Sequence, residues 1–177
     1  MHFELGGSVL NINSILLTLV LSITSTAMAQ AGVEVQHADL KLTLPAEPMR
    51  KTETIEGQPG TKPTEQHQLI VNQSNGSIIV WHQEASGITD PKQALEVARD
   101  AIVKVAGGTV SVDKEFELQG HPGRYFIVPI PKNGGEFRVA YVFANGRMYQ
   151  ILSVGTPEFI RSDSTNEMFK SASLSEE

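Results

Sequence analysis

Apolar residues crowd most densely between Gly120 and Gly155, where the chain runs GHPGRYFIVPIPKNGGEFRVAYVFANGRMYQILSVG. This stretch predicts three consecutive antiparallel strands. Asn145-Gly146 lies between two apolar-rich runs and accommodates the positive φ angles of a type I′ turn, whose twist matches that of the strands it joins. Pairing outward from that turn sets Phe143 opposite Met148, Tyr141 opposite Gln150, Val139 opposite Leu152 and Phe137 opposite Val154. Side chains alternate along a strand, so these share one sheet face, while Val142 with Tyr149 and Ala140 with Ile151 share the other. Tyr125-Phe126-Ile127-Val128 is apolar on both sides as well. A sheet with one wet face would alternate apolar with polar residues. This one needs a cover on each side.

The remaining segments supply candidates. Ala38 to Leu44 alternates Leu40, Leu42 and Leu44 with polar residues and predicts a half-buried strand ended by Pro45 and Pro48. Arg50 to Glu56 is a polar strand suited to an edge, and the Gly and Pro content of 57–63 marks a loop. Gln66–Asn72 and Ser77–Glu84 form a second hairpin with Asn75-Gly76 at its turn, a register that pairs Val71 with Val80 and Ile70 with Trp81. Then the period changes. Asp90 as N-cap, Pro91 at the first helical position and Gln93 completing a capping box open a helix. Leu95, Ala98, Ile102 and Val105 form its apolar stripe, and Gly107-Gly108 ends it. From Thr109 to Gln119 alternation returns, with Asp113, Glu115 and Glu117 on a wet face, as befits a peripheral strand. A second helix is expected between Glu158 and Phe169, and Ser171 to Glu177 is a short strand or a frayed tail. The sum is an α+β fold, an antiparallel β-sheet covered by helices on both faces.

Composition adds an address. The 177 residues suit one domain with its own core. Ile15 to Ile23 (ILLTLVLSI) is an apolar run too short to span a bilayer, and Ala27-Met28-Ala29 fits the A-x-A signal-peptidase pattern. Residues 1–29 therefore read as a signal peptide cut before Gln30, 30–37 as a linker, 38–174 as one domain and 175–177 as a tail. The signal region carries no Lys or Arg, and an uncleaved anchor is the alternative. The chain has no cysteine, which excludes disulfides, thiolate metal sites and cysteine nucleophiles. A net charge of -6 disfavours nucleic acid as a partner. The expected compartment is the periplasm or the outside of the cell, with no stable membrane span after cleavage.

Taken together, a strand ending in LP-x-x-P, a hairpin, an Asp-Pro-capped helix closing in Gly-Gly and a Lys-Glu-rich strand make a recognisable order. Gly120-His-Pro-Gly-Arg124 and Asn145-Gly-Arg-Met-Tyr-Gln150 follow it. From Leu40 to about Leu174 this resembles small secreted bacterial proteins of the PsbP-like superfamily, which includes the extrinsic photosystem II subunit and a Ran-binding import factor. The resemblance implies an α/β/α sandwich and a binding or assembly role. Its motifs are turns and core strands, so it carries over no catalytic residue and no cofactor.

Candidate chemistry is sparse. In the Asn75-Gly76 register His67 faces Glu84 and Leu69 faces His82, which puts His67, His82 and Glu84 on one face. Diagonal neighbours lie about 7–8 Å apart, and two histidines with a carboxylate suit zinc. A hydrated hairpin face with a His–Glu contact is the plainer alternative. The acidic row 113–117 reads as edge protection rather than a cation site. His121 reads as a residue of the turn that launches the central strand. Arg138 and Arg147 share a face and either receive an anionic partner or lie over the sheet beneath a covering helix. Neither G-x-S-x-G nor H-E-x-x-H occurs, so a hydrolase ranks last. The chain is expected to be a non-enzymatic module recognising a protein or envelope component, needing no cofactor. The alternative is a small-molecule or metal-binding protein that uses a sheet–helix pocket or the His67/His82/Glu84 face.

Overall fold

In the computed structural model, which describes residues 32–55, 63–85 and 87–175, strands dominate. The first half contains β1 (Val33–His37), β2 (Leu40–Leu44), β3 (Met49–Ile55), β4 (Thr64–Gln73), β5 (Gly76–Glu84) and α1 (Pro91–Ala106). The second half contains β6 (Val112–Leu118), β7 (His121–Ile130), β8 (Gly135–Ala144) and β9 (Arg147–Gly155), then α2 (Pro157–Ile160), α3 (Asp163–Ser171) and β10 (Ser173–Leu174). The expected signal peptide and most of the 57–63 loop lie outside the described residues.

Seven strands form one antiparallel sheet in the order β3-β4-β5-β9-β8-β7-β6, with the expected meander at its centre. Asn145 and Gly146 have φ of 51° and 70°, and every pair expected from that turn is present, from Ala144–Arg147 out to Phe137–Val154. Both faces are buried. One carries Phe126, Val128, Val139, Tyr141 and Leu152 against Leu95, Ala98 and Ile102 of α1. Asp90 Oδ1 accepts from the Gln93 N–H at 3.0 Å, and Gly107 closes the helix at φ 65°. Val105, expected in the apolar stripe, is 41% exposed.

The opposite face corrects the expected architecture. It is not a helix-covered sandwich: the fold is mostly antiparallel sheet, with 54% of the described residues in strands against 21% in helices, in two sheets. The second sheet, β1-β2-β10, lays Leu40, Leu42 and Leu44 on Leu69, Val71, Ile78 and Val80. Helices α2 and α3 contribute Phe159, Ile160 and Met168 to the same core. A helix thus covers one face, and a small sheet with two short helices covers the other. The difference comes from Val33–His37, expected as linker, which pairs along its whole length with β2 and turns Val35 and His37 inward. A two-stranded ribbon bent back over the sheet buries Leu40, Leu42 and Leu44 without a helix.

The 158–169 helix is interrupted. Ser162 Oγ accepts from the Thr165 N–H and starts α3 afresh, because a Ser in extended conformation caps better than it continues a helix.

The β4–β5 hairpin also shifts. Its turn is Ser74-Asn75, giving Val71 opposite Ile78 and Gln68 opposite Trp81, two residues from the expected pairing. Gly76 opens β5 opposite Gly155, and a Cβ there would lie 2.3 Å from Phe159 Cδ1 and 2.5 Å from the Val154 carbonyl oxygen. The glycine serves the seat of Phe159 rather than the turn. An even slip leaves every side chain on its expected face.

Candidate functional site

The shifted register sets His67 directly opposite His82. Both project from the face covered by β1-β2-β10, at the end where β1 finishes, and His37 joins them there. The His37 and His82 ring centroids are 4.4 Å apart, edge to face, and those of His67 and His82 are 4.9 Å apart and stacked. Tyr149 of β9 borders His82 at 5.9 Å. Three imidazoles from three strands thus form one cluster with His82 at its centre.

A hydrogen bond defines the state of one ring. His37 Nε2 contacts the His67 carbonyl oxygen at 2.9 Å, so that nitrogen carries a proton and donates. His67 Nδ1 is hydrogen-bonded with Thr52 Oγ1 at 3.1 Å, and its Nε2 lies 3.7 Å from Glu65. His82 Nδ1 is buried and has no hydrogen-bond partner among the described residues. A buried polar atom without a partner costs about 1–3 kcal/mol. Burial pushes the His82 pKa down to about 4, helped by the charges of His37, His67 and Arg147. Burial also lowers the His37 pKa, against the opposing effect of its bond to the His67 carbonyl.

Beside the cluster, Asp39 Oδ2 accepts from Asn145 Nδ2 at 3.2 Å, Tyr149 Oη at 3.1 Å and Arg147 Nη1 at 3.0 Å. These donors, Asn145 first, hold its carboxyl below the usual range. Arg147 Nε donates to Glu84 Oε1 at 2.8 Å. Glu84 is therefore engaged across the β5–β9 ladder rather than with His67. The expected trio divides: the two histidines come together, Glu84 turns to Arg147, and His37 takes the third place. Among the described residues no group of three His, Asp or Glu side chains is arranged to hold a metal ion.

Two clefts meet at this point. One, about 270 Å³, runs along β3 past Arg50, Lys51 and Thr52 to the histidines. The other, about 410 Å³, is walled by Ala38, Pro63, Thr64, Glu84 and Arg147. His67 and His82 line both. A third cleft of about 210 Å³, between α1 and the β6–β7 ribbon, involves Lys92, Leu95 and Phe116. It is the expected sheet–helix pocket, and among the described residues no unpaired buried polar atom lines it.

The remaining candidates have structural partners. Asp113 of the acidic row binds Arg124 and Arg99. Arg138 lies beneath α3, donating to the Ile160 carbonyl at 3.1 Å and Asn166 Oδ1 at 2.6 Å, with its guanidinium 4.3 Å from the Phe169 ring centre. His121 opens β7 opposite Leu118, across a Gln119-Gly120 turn with φ of 51° and 84°. Sequence reasoning missed His37, Asp39 and Tyr149 as site residues. The alternation Val33-Glu-Val-Gln-His37 was the available signal, and it stands directly after the expected cleavage point.

Comparison with known proteins adds little. No protein family matches the chain, and no curated protein matches it. Among solved structures, a protein of unknown function from Pseudomonas aeruginosa is similar at 12% identity and a TM-score of 0.38. The match covers 74% of this chain and 87% of that one. A likeness at that level carries no argument about function.

Proposed function

We propose that the protein is a non-enzymatic binding module of the periplasm or cell exterior, and that it holds a small-molecule ligand in the joined clefts beside His37, His67 and His82. One observation carries this reading: His82 Nδ1 is buried and unpaired among the described residues, in a ring that lines both clefts. A ligand group entering beside the ring and parting the side chains over that nitrogen would complete its hydrogen bond. The Thr52–His67 pair resembles a nucleophile and base, but Glu65 is beyond hydrogen-bond range of the imidazole and the Thr52–His67 contact is exposed. Such a pair lacks the desolvation and the orienting third group that activate a hydroxyl.

A protein or envelope partner is the second reading, supported by β3. It is an edge strand of the large sheet, and its Met49 is 57% exposed. An exposed edge can add a partner's strand.

Mass spectrometry of what leaves the purified full chain on denaturation, together with crosslinking in the native envelope, separates the two. A retained metabolite that is lost in His82→Gln supports the cleft. A captured protein joined through β3, with nothing in the cleft, supports the edge. Turnover of p-nitrophenyl esters that disappears in Thr52→Val would overturn both.

A further inference from the structure

We infer that the histidine cleft takes its ligand by an anionic group, a carboxylate or a phosphate, seated between Arg50 and the three imidazoles. This rests on the binding reading above and names the chemistry of the ligand.

The charges around the site are unevenly committed. Arg147 already holds Asp39 and Glu84, and Lys51 pairs with Glu53 along β3. Arg50 lines the same cleft and has no acidic partner among the described residues. Its charge reaches His37, where it is one of the causes that disfavour protonation. In a chain of net charge -6, an unpaired guanidinium beside clustered imidazoles is a local exception. A planar guanidinium fork suits carboxylate and phosphate oxygens.

The same pattern argues against a metal cation. At His82 the charge of Arg147 disfavours a further positive charge, His37 and His67 add to it when protonated, and Asp39 alone opposes them. Asp39 Oδ2 is already occupied by three donors. Glu65, at 3.7 Å from His67 Nε2, is the one acid near the imidazoles without an Arg or Lys partner among the described residues. An anion meets the opposite balance. It gains the Arg50 guanidinium and N–H donors from the His67 and His82 rings that line the cleft.

A pH dependence follows. Burial keeps His37 and His82 neutral near pH 7, and an anion beside them favours their protonated forms. Binding therefore takes up protons, and affinity rises as the pH falls. Tyr149 has its pKa raised by burial and stays neutral throughout this range, and Glu65 and Glu84 also border the rings. Asp39 has its pKa lowered and stays charged.

The test is titration of the full chain with inorganic phosphate and, separately, with succinate, at pH 5.5 and 8.0, following the histidine ring signals by NMR. Saturable shifts at His37, His67 and His82 are expected with at least one anion. Binding should be at least about threefold tighter at pH 5.5, since each proton taken up changes affinity by up to tenfold per pH unit. Which anion binds identifies the group. Arg50→Gln, at an exposed residue of an edge strand, leaves the fold intact and should abolish the shifts, as should His82→Gln. If neither anion shifts these rings, the inference fails. If Zn(II) alone does so, the inference also fails while the binding-module reading stands. If a metabolite recovered from the cleft carries no anionic group, the inference again fails and the reading survives.

Discussion

Arg124 grips Asp113 with one edge of its guanidinium: Nε donates to Oδ1 at 2.7 Å and Nη2 to Oδ2 at 2.7 Å. The same carboxylate accepts from Arg99 of α1 at 2.8 Å. One acid thereby joins the edge strand β6, its neighbour β7 and the helix that covers that face. The two arginines hold its pKa down, Arg124 foremost.

Loss of that carboxylate leaves Arg124, whose side chain is 13% exposed, without its principal partner. Asp113→Ala is expected to destabilise the protein by about 1–3 kcal/mol, the range for losing charge-assisted bonds. Glu117→Ala, four residues along the same strand and exposed, should change stability by less than about 0.5 kcal/mol. Urea denaturation of the two variants checks the contrast, and equal losses would refute the special role of Asp113.

Gly76 seats Phe159. Gly76→Ala should cost about 1–3 kcal/mol through overpacking. Part of that cost should vanish in a Phe159→Ala background, because the ring is one of the two obstacles to the new methyl group and the Val154 carbonyl is the other. A double-mutant cycle measures the coupling. Strict additivity would show that the ring does not rest on the glycine.

On α1, Ile102 is fully buried and Val105 is largely outside the core. Ile102→Ala should cost about 2–5 kcal/mol and Val105→Ala less than about 0.5 kcal/mol. Thermal unfolding of both variants decides whether the helix lies in this rotation. A large loss at Val105 would mean that it does not.

Acid should weaken the fold in two stages. His82 and His37 have folded pKa values below their ordinary 6.5, His82 at about 4. Between those limits the unfolded chain binds protons that the folded chain refuses, so stability is fully present above pH 6.5 and falls as the pH drops toward 4. Asp39 and Asp113 have folded values below 3.8. Their contribution is present above 3.8 and is lost as the pH falls through the folded values. His82→Gln should flatten the Tm profile between pH 6.5 and 4 and leave the steeper fall below it. An unchanged upper stage in that variant would show that His82 is not its source.

The candidate site was legible only in part. His67 and His82 share a face in either register because a two-residue slip preserves alternation, so their common side was readable although their pairing was not. Glu84 was placed with them by the same reasoning, but alternation says nothing of the next strand, and Arg147 of β9 claims it. His37 lies 30 residues from His67 in the chain, and no local pattern links a strand to the sheet it folds back upon.

The sequence by itself determined the elements whose signals are local. The Asn145-Gly146 turn and its register, the Asp90 cap and Gly107 stop of α1, and the apolar character of both faces of the meander all depend on a few neighbouring residues. Only the tertiary structure decided what covers the second face, since a two-stranded ribbon and a helix can bury the same leucines. It also decided the first turn. Asn75-Gly76 has the local chemistry of a hairpin loop, but Gly76 is needed flat beneath Phe159, a residue 83 positions away. The histidine cluster belongs to the same class: it exists because β1 returns over the sheet and brings a third imidazole to two that already faced each other.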